Sequence, residues 1–197
     1  MKPRTAVTAA LLLAAALVAR ATEPVRFTPA KSETTVTIKG TSSLHEWEMK
    51  GVSITGVIET DPELWKGDGP KPGVVKVSIP VASVRSEHDR MDRIMRESLK
   101  AEANPDIKFE MTTASLVKSS GDSFVVRSNG KLTIAGVTRD VTLDVTVQRG
   151  GDRRYILSGQ TPIRMTDYGI KPPVAMMGTL KTGDLVTVAF RWVVERS

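Results

Sequence analysis

His45 and His88 are the only imidazoles in this chain, which also contains no cysteine. His45-Glu46-Trp47-Glu48-Met49 begins as a zinc-protease motif does, but no histidine follows four residues on and the segment alternates like a strand. A metal site would need both histidines and a carboxylate such as Glu46 or Glu87. Ser42 and Ser43 lie close to His45, yet a nucleophile also requires an oriented base beside it. No Gly-x-Ser-x-Gly elbow, phosphate loop or dinucleotide fingerprint occurs. The absence of cysteine excludes thiolate chemistry and Cys-ligated metals. The residues therefore carry no positive signal for catalysis. The expectation is a protein that is not an enzyme, with no metal or cofactor; a metal-dependent or hydrolytic enzyme using His45 or His88 is the alternative.

Two other residue groups suit binding rather than turnover. Arg139, Arg164 and Lys171 fall at strand ends or in a loop, where they are either solvated rim charges or contacts for an anionic head group. Met91, Met95, Met176 and Met177 are either core packing or an adaptable apolar lining.

The elements that must position these residues read as strands. Gly130 to Val147 is the clearest hairpin: Val141, Leu143, Val145 and Val147 alternate with Thr142, Asp144 and Thr146. Gly136-Val137 fits a two-residue type II′ turn, which predicts Leu132 opposite Val141 and Arg139 opposite Ile134. Further strands are expected near 25–30, 34–41, 45–60, 74–84, 106–117, 123–135, 154–164 and 185–195. Pro29 and Pro80 argue for edges or a bulge, and Gly51 and Gly56 for bends. One amphipathic helix, about Asp89 to Ala101, places Met91, Ile94, Met95 and Leu99 on one face and Asp92 among the charges on the other. Asp61 to Gly73 reads as a loop carrying Trp65.

The first 21 residues read as a secretory signal peptide. Lys2 and Arg4 precede an apolar run too short to span a bilayer, and Ala19-Arg20-Ala21 is a cleavage signal. Residues 22–197 then form one domain. Without the leader's Lys2, Arg4 and Arg20, 25 basic residues face 22 acidic ones, a net charge of +3. That modest charge, with export, argues against a nucleic-acid partner. The expected class is all-β: an antiparallel β-barrel of about eight strands with one inserted amphipathic helix, since closure removes exposed edges. A barrel of that size is either filled, acting only as a protein-interaction module, or holds one small ligand as lipocalins do.

Three segments give the chain a family likeness: Gly130-Lys131-Leu132-Thr133-Ile134-Ala135-Gly136-Val137-Thr138-Arg139, then Asn104-Pro105-Asp106-Ile107-Lys108-Phe109, then Asp167-Tyr168-Gly169-Ile170-Lys171-Pro172-Pro173. Together they resemble the YceI-like family of exported proteins described as lipid- or polyisoprenoid-binding. Asp140 stands where many members carry proline, and Met165 where many carry arginine. The resemblance implies an extended lipocalin-like barrel holding a long isoprenoid, a quinone or a polyprenyl phosphate, for carriage or sequestration in the periplasm, with transient membrane contact. Strand parity and the resemblance together nominate Val36, Ile38, Trp47, Leu132, Ile134, Val141, Leu143, Phe190 and Trp192 as the apolar lining. Arg139, Arg164 and Lys171 are the head-group candidates, with the tail inward and the head near the mouth.

Overall fold

The computed structural model describes residues 25–30, 33–60, 73–151, 153–175 and 179–197. The expected leader, the loop containing Trp65, and Met176 and Met177 lie outside the described residues. Alternating apolar and polar residues dictate the architecture, because each strand must turn one face inward and leave the other to water. The result is a closed antiparallel barrel of eight staves, three of them broken in two.

The first stave is β1 (Val25–Pro29) followed by β2 (Thr35–Ser42), and the second is β3 (Glu46–Gly51) followed by β4 (Thr55–Thr60). The third is β5 (Val74–Pro80) and the short β6 (Val84–Arg85), separated by a 3-10 turn at Val81–Ser83. After the helix α1 (Asp89–Ser98) come four long strands: β7 (Asp106–Ser120), β8 (Ser123–Ile134), β9 (Val137–Arg149) and β10 (Arg154–Arg164). A two-residue strand, β11 (Val174–Ala175), precedes β12 (Leu180–Arg196), which closes the ring. β12 pairs with β10 on one side; on the other it pairs with β2 and then, past Arg191, with β1.

This closure corrects the expected edge at Pro29, because β1 is paired on both sides. Pro29 is tolerated as the last residue of its strand, beyond the reach of β4, which pairs only with Val25–Phe27. Pro80 likewise ends a strand rather than edging the sheet: the chain leaves β5 there and resumes as β6. β12 starts five residues earlier than the alternation suggested, because a register shift between Thr182 and Val186 interrupts the pattern.

The central hairpin differs from expectation by two residues of register. Ala135 and Gly136 both have positive φ, 50° and 83°, and form the two central residues of a type I′ turn. Leu132 therefore faces Arg139, Ile134 faces Val137, and Val141 faces Gly130. The slip is two residues, so every side chain keeps its predicted face.

Two apolar clusters fill the barrel along its length. One contains Val25, Phe27, Ile58, Tyr155, Leu157, Trp192 and Val194, and the Phe27 and Tyr155 rings meet edge to face with centroids 5.4 Å apart. The other gathers Ile134, Ala135, Ile163, Tyr168, Ile170 and Val186 at the turn end of the β8–β9 hairpin, with Leu99 of the helix segment packed against it. The methionine face of α1 is only half-buried, and its buried side chain is Asp92, 4% exposed. That overturns its placement among the solvated charges: the preceding loop folds over the helix start and supplies donors to it, as described next.

An apolar cavity as the candidate functional site

Because inward positions recur every second residue on all eight staves, the barrel axis is lined by aliphatic and aromatic side chains. Between the two clusters lies a cavity of about 200 Å³. Val36, Ile38, Leu132, Ile134, Leu143, Phe190 and Trp192 of the nominated lining all face it. Trp47 and Val141 do not. Trp47 is half-buried at the end of the barrel, its indole lying where a side chain at Gly40 would stand and its Nε1–H donating to the Thr41 carbonyl at 3.0 Å. Val141 faces Gly130, and the space over that glycine is occupied by the ring of Phe109, which lines the cavity in its place.

The lining also includes residues outside the nominated set. Val75, Val77 and Ile79 of β5, Phe124 and Val126 of β8, Val145 and Val147 of β9, Leu157 of β10 and Val188 of β12 all contribute. Their signal was the same alternation, carried further along each strand. In β8 it is hidden by Ser128 and Gly130, which hold inward positions without looking apolar. No Asp, Glu, His, Lys or Arg lines the cavity among the described residues.

The head-group candidates therefore lie elsewhere. Arg139 Nε donates to the Asp167 carbonyl at 2.8 Å, tying the hairpin to the 3-10 turn Met165–Tyr168. Gly169, at φ 66°, ends that turn and lets Ile170 follow Tyr168 into the interior, where they are 5% and 3% exposed. Asp184 secures the other side, accepting from the Thr166 backbone N–H at 2.9 Å and the Thr166 hydroxyl at 2.8 Å. Those two donors hold its carboxyl below the usual aspartate range. The Asp167-Tyr168-Gly169-Ile170 segment is thus an apolar plug fixed at one end of the barrel. Arg164 points outward, 3.9 Å from Asp184, and Lys171 is exposed just beyond the plug.

The polar residues weighed for catalysis have structural partners. The Ser42 hydroxyl donates to the His45 carbonyl at 2.8 Å, and His45 Nδ1 lies 2.9 Å from the Glu46 carbonyl. His88 is the exposed residue that precedes α1. Among the described residues no three His, Asp or Glu side chains are grouped to hold a metal ion. Asp92 accepts from the Ser86 N–H at 2.6 Å and the Ser86 hydroxyl at 2.7 Å, with Arg85 Nε 3.9 Å away. Burial pushes its pKa up, but these donors and the cations Arg85 and Arg96 outweigh it and leave the carboxyl below its ordinary range.

An eight-stave antiparallel barrel with a plugged end and, among the described residues, an uncharged cavity lining defines an extended lipocalin-like barrel. More particularly, residues 24–194 match the family model of the YceI-like domain, and the chain belongs to the YceI-like family. Among curated relatives, a UPF0312 protein of Pseudomonas putida is 32% identical over 124 residues, 59% of this chain and 62% of that protein. A UPF0312 protein of Serratia proteamaculans is 36% identical over 108 residues, 51% of this chain and 54% of the relative. The chain thus spans a little over half the length of these relatives. Solved structures share the fold. BcnA of Burkholderia cenocepacia superposes with a TM-score of 0.66 at 19% identity, covering 84% of this chain and 98% of that one. A polyisoprenoid binding domain from Saccharophagus degradans, implicated in plant cell wall breakdown, gives 0.67 at 15% identity, covering 87% and 98%.

Proposed function

We propose that this protein is a binding protein rather than an enzyme, and that it holds one isoprenoid lipid inside the barrel for carriage or sequestration outside the cytoplasm. The uncharged lining of the cavity is the observation that carries this reading. Each buried CH₂ of a hydrocarbon tail gains roughly 0.8 kcal/mol, and the described wall carries no charged side chain. The family, and the likeness to the polyisoprenoid binding domain of Saccharophagus degradans, support it. Export rests on the leader sequence, and exchange with a membrane follows from the insolubility of such lipids in water.

The empty space of about 200 Å³ exceeds the ~150 Å³ that suffices for benzene and falls short of the roughly 300–1,000 Å³ of ordinary ligand pockets. A long isoprenoid therefore enters by spreading side chains that make only van der Waals contacts. Lipid should be extractable from natively purified protein and identifiable by mass spectrometry. Leu143→Glu, which puts a carboxylate on the lining, should abolish retention while circular dichroism shows a folded barrel. Val145→Phe, which fills space without charge, should reduce it where the charged variant does not fold. Full lipid occupancy in a folded variant of either kind would remove the cavity as the binding site.

A further inference from the structure

Two thioethers of α1 have no part in the packing described above. Of the other described methionines, Met49 is buried, Met111 lines the cavity and Met165 packs against the plug cluster. Met91 and Met95 do none of these. Both are half-buried, neither apolar cluster includes them, and neither lines the cavity. Leu99, one turn further along, is the residue of their face that reaches the plug cluster. His88 is in the same position. Its backbone N–H and carbonyl meet the Ser86 hydroxyl at 3.1 and 3.0 Å, and no described residue hydrogen-bonds its ring.

The Met91 and Asp92 N–H groups donate to the His88 carbonyl at 2.9 and 3.1 Å, so the helix is already wound at His88. Residues three and four apart on a helix are neighbours, with Cβ atoms about 5–6 Å apart, which places His88, Met91 and Met95 along one line. Helical side chains lean toward the N-terminus, so Met95 leans toward Met91 and Met91 toward His88. Asp92, the carboxylate between them, is held by Ser86 and faces Arg85. The remaining donors are two thioether sulfurs and one imidazole nitrogen, all neutral. Such a set suits Cu(I), whereas magnesium, calcium and manganese want oxygen. The helix also carries Arg90, Arg93 and Arg96, whose repulsion is weaker for a monovalent ion than for a divalent one. We propose that His88, Met91 and Met95 form a site for one Cu(I) ion on the outside of the barrel. The site is separate from the cavity and stands whatever the cavity holds.

The test presents Cu(I) to the full chain, under reductant, as its coloured bicinchoninate complex. The chain should withdraw one equivalent of Cu(I), read as loss of the complex's absorbance, and excess Zn(II) should not prevent it. Met91→Leu and Met95→Leu nearly conserve volume, so the fold should survive, and each should weaken Cu(I) binding about tenfold. The double variant should abolish it, and His88→Ala should weaken it. Met111→Leu, on the cavity wall, should leave it unchanged. A readout on the unmodified protein needs no variant. With Ag(I) as a redox-inert stand-in, the Met91 and Met95 methyl resonances should shift together and saturate at one equivalent, while those of Met49 and Met165 stay in place. A chain that withdraws no Cu(I) would overturn the proposal. So would withdrawal that survives the double variant, as it would from Met176 and Met177, or Met91 and Met95 methyl groups indifferent to Ag(I).

Discussion

Asp92 shows how much one side chain decides at this size of domain. Its carboxylate is buried and accepts the Ser86 N–H at 2.6 Å and the Ser86 hydroxyl at 2.7 Å. Removing it takes the charged acceptor from the half-buried Ser86 N–H, a loss of about 1–3 kcal/mol. The pH dependence has a definite sign. The folded-state pKa is depressed, so in the acid range the unfolded chain binds more protons than the folded one, and stability rises with pH there. The contribution is complete above the ordinary aspartate range and is lost as the pH falls through the depressed folded value. Asp92→Asn should therefore lower the melting temperature at pH 7 and flatten the acid limb of the stability curve. Thermal unfolding from pH 7 to pH 2 measures both, and parallel acid limbs would assign the acid response to other carboxylates such as Asp144 and Asp184, which are also depressed.

At the scale of elements, the plug formed by Met165–Ile170 is held from two directions, by Arg139 of β9 and by Asp184 of β12. Arg139→Ala removes one exposed charge-assisted bond, worth about 1 kcal/mol after allowance for solvent, which shifts the melting temperature of a chain this size by roughly 2–4 °C. The larger effect should be kinetic: lipid exchange, followed as transfer to acceptor vesicles, should be several-fold faster. An unchanged exchange rate would show that lipid leaves by another route. The sequence made the strands legible, because parity alone places Val36, Ile38, Leu143 and Phe190 inside, and a register error of two residues cannot move a side chain to the other face. It did not make the ends legible. Arg139 and Arg164 looked alike in the sequence as cations near strand ends. Only the chain path shows that one clamps a backbone carbonyl and the other faces solvent. Trp47 failed for a related reason, since its inward parity was right but Gly40 gives its ring a place beside the wall. Asp92 was hidden because helical periodicity does not anticipate a loop folding over the charged face.

The whole molecule has an end built differently from its walls. The tip of the β2–β3 hairpin leaves Leu44 70% exposed, and β11 leaves Val174 56% exposed. They are neighbours in space, because Lys181 pairs with Val174 and its carbonyl accepts the Ser43 N–H at 2.9 Å. Lys171 and Lys181 are exposed in the same region, beside the plug. Two apolar tips among cations suit an anionic bilayer surface, where each lysine gains about 1 kcal/mol near the lipid charges and the apolar tips gain by leaving water. On the proposed lipid-carrying function, the plugged end is the expected membrane contact, because there the fixings of the plug are few and local. The chain should co-sediment with phosphatidylglycerol vesicles and much less with phosphatidylcholine vesicles, the difference shrinking as salt screens the charges. Lys171→Glu with Lys181→Glu should abolish the preference for anionic lipid, while Leu44→Asp should weaken binding to both. In each variant the cavity is untouched, so the lipid carried per protein after purification should not change. Equal sedimentation with the two vesicle types, or variants that bind as the parent does, would place the exchange surface elsewhere on the barrel.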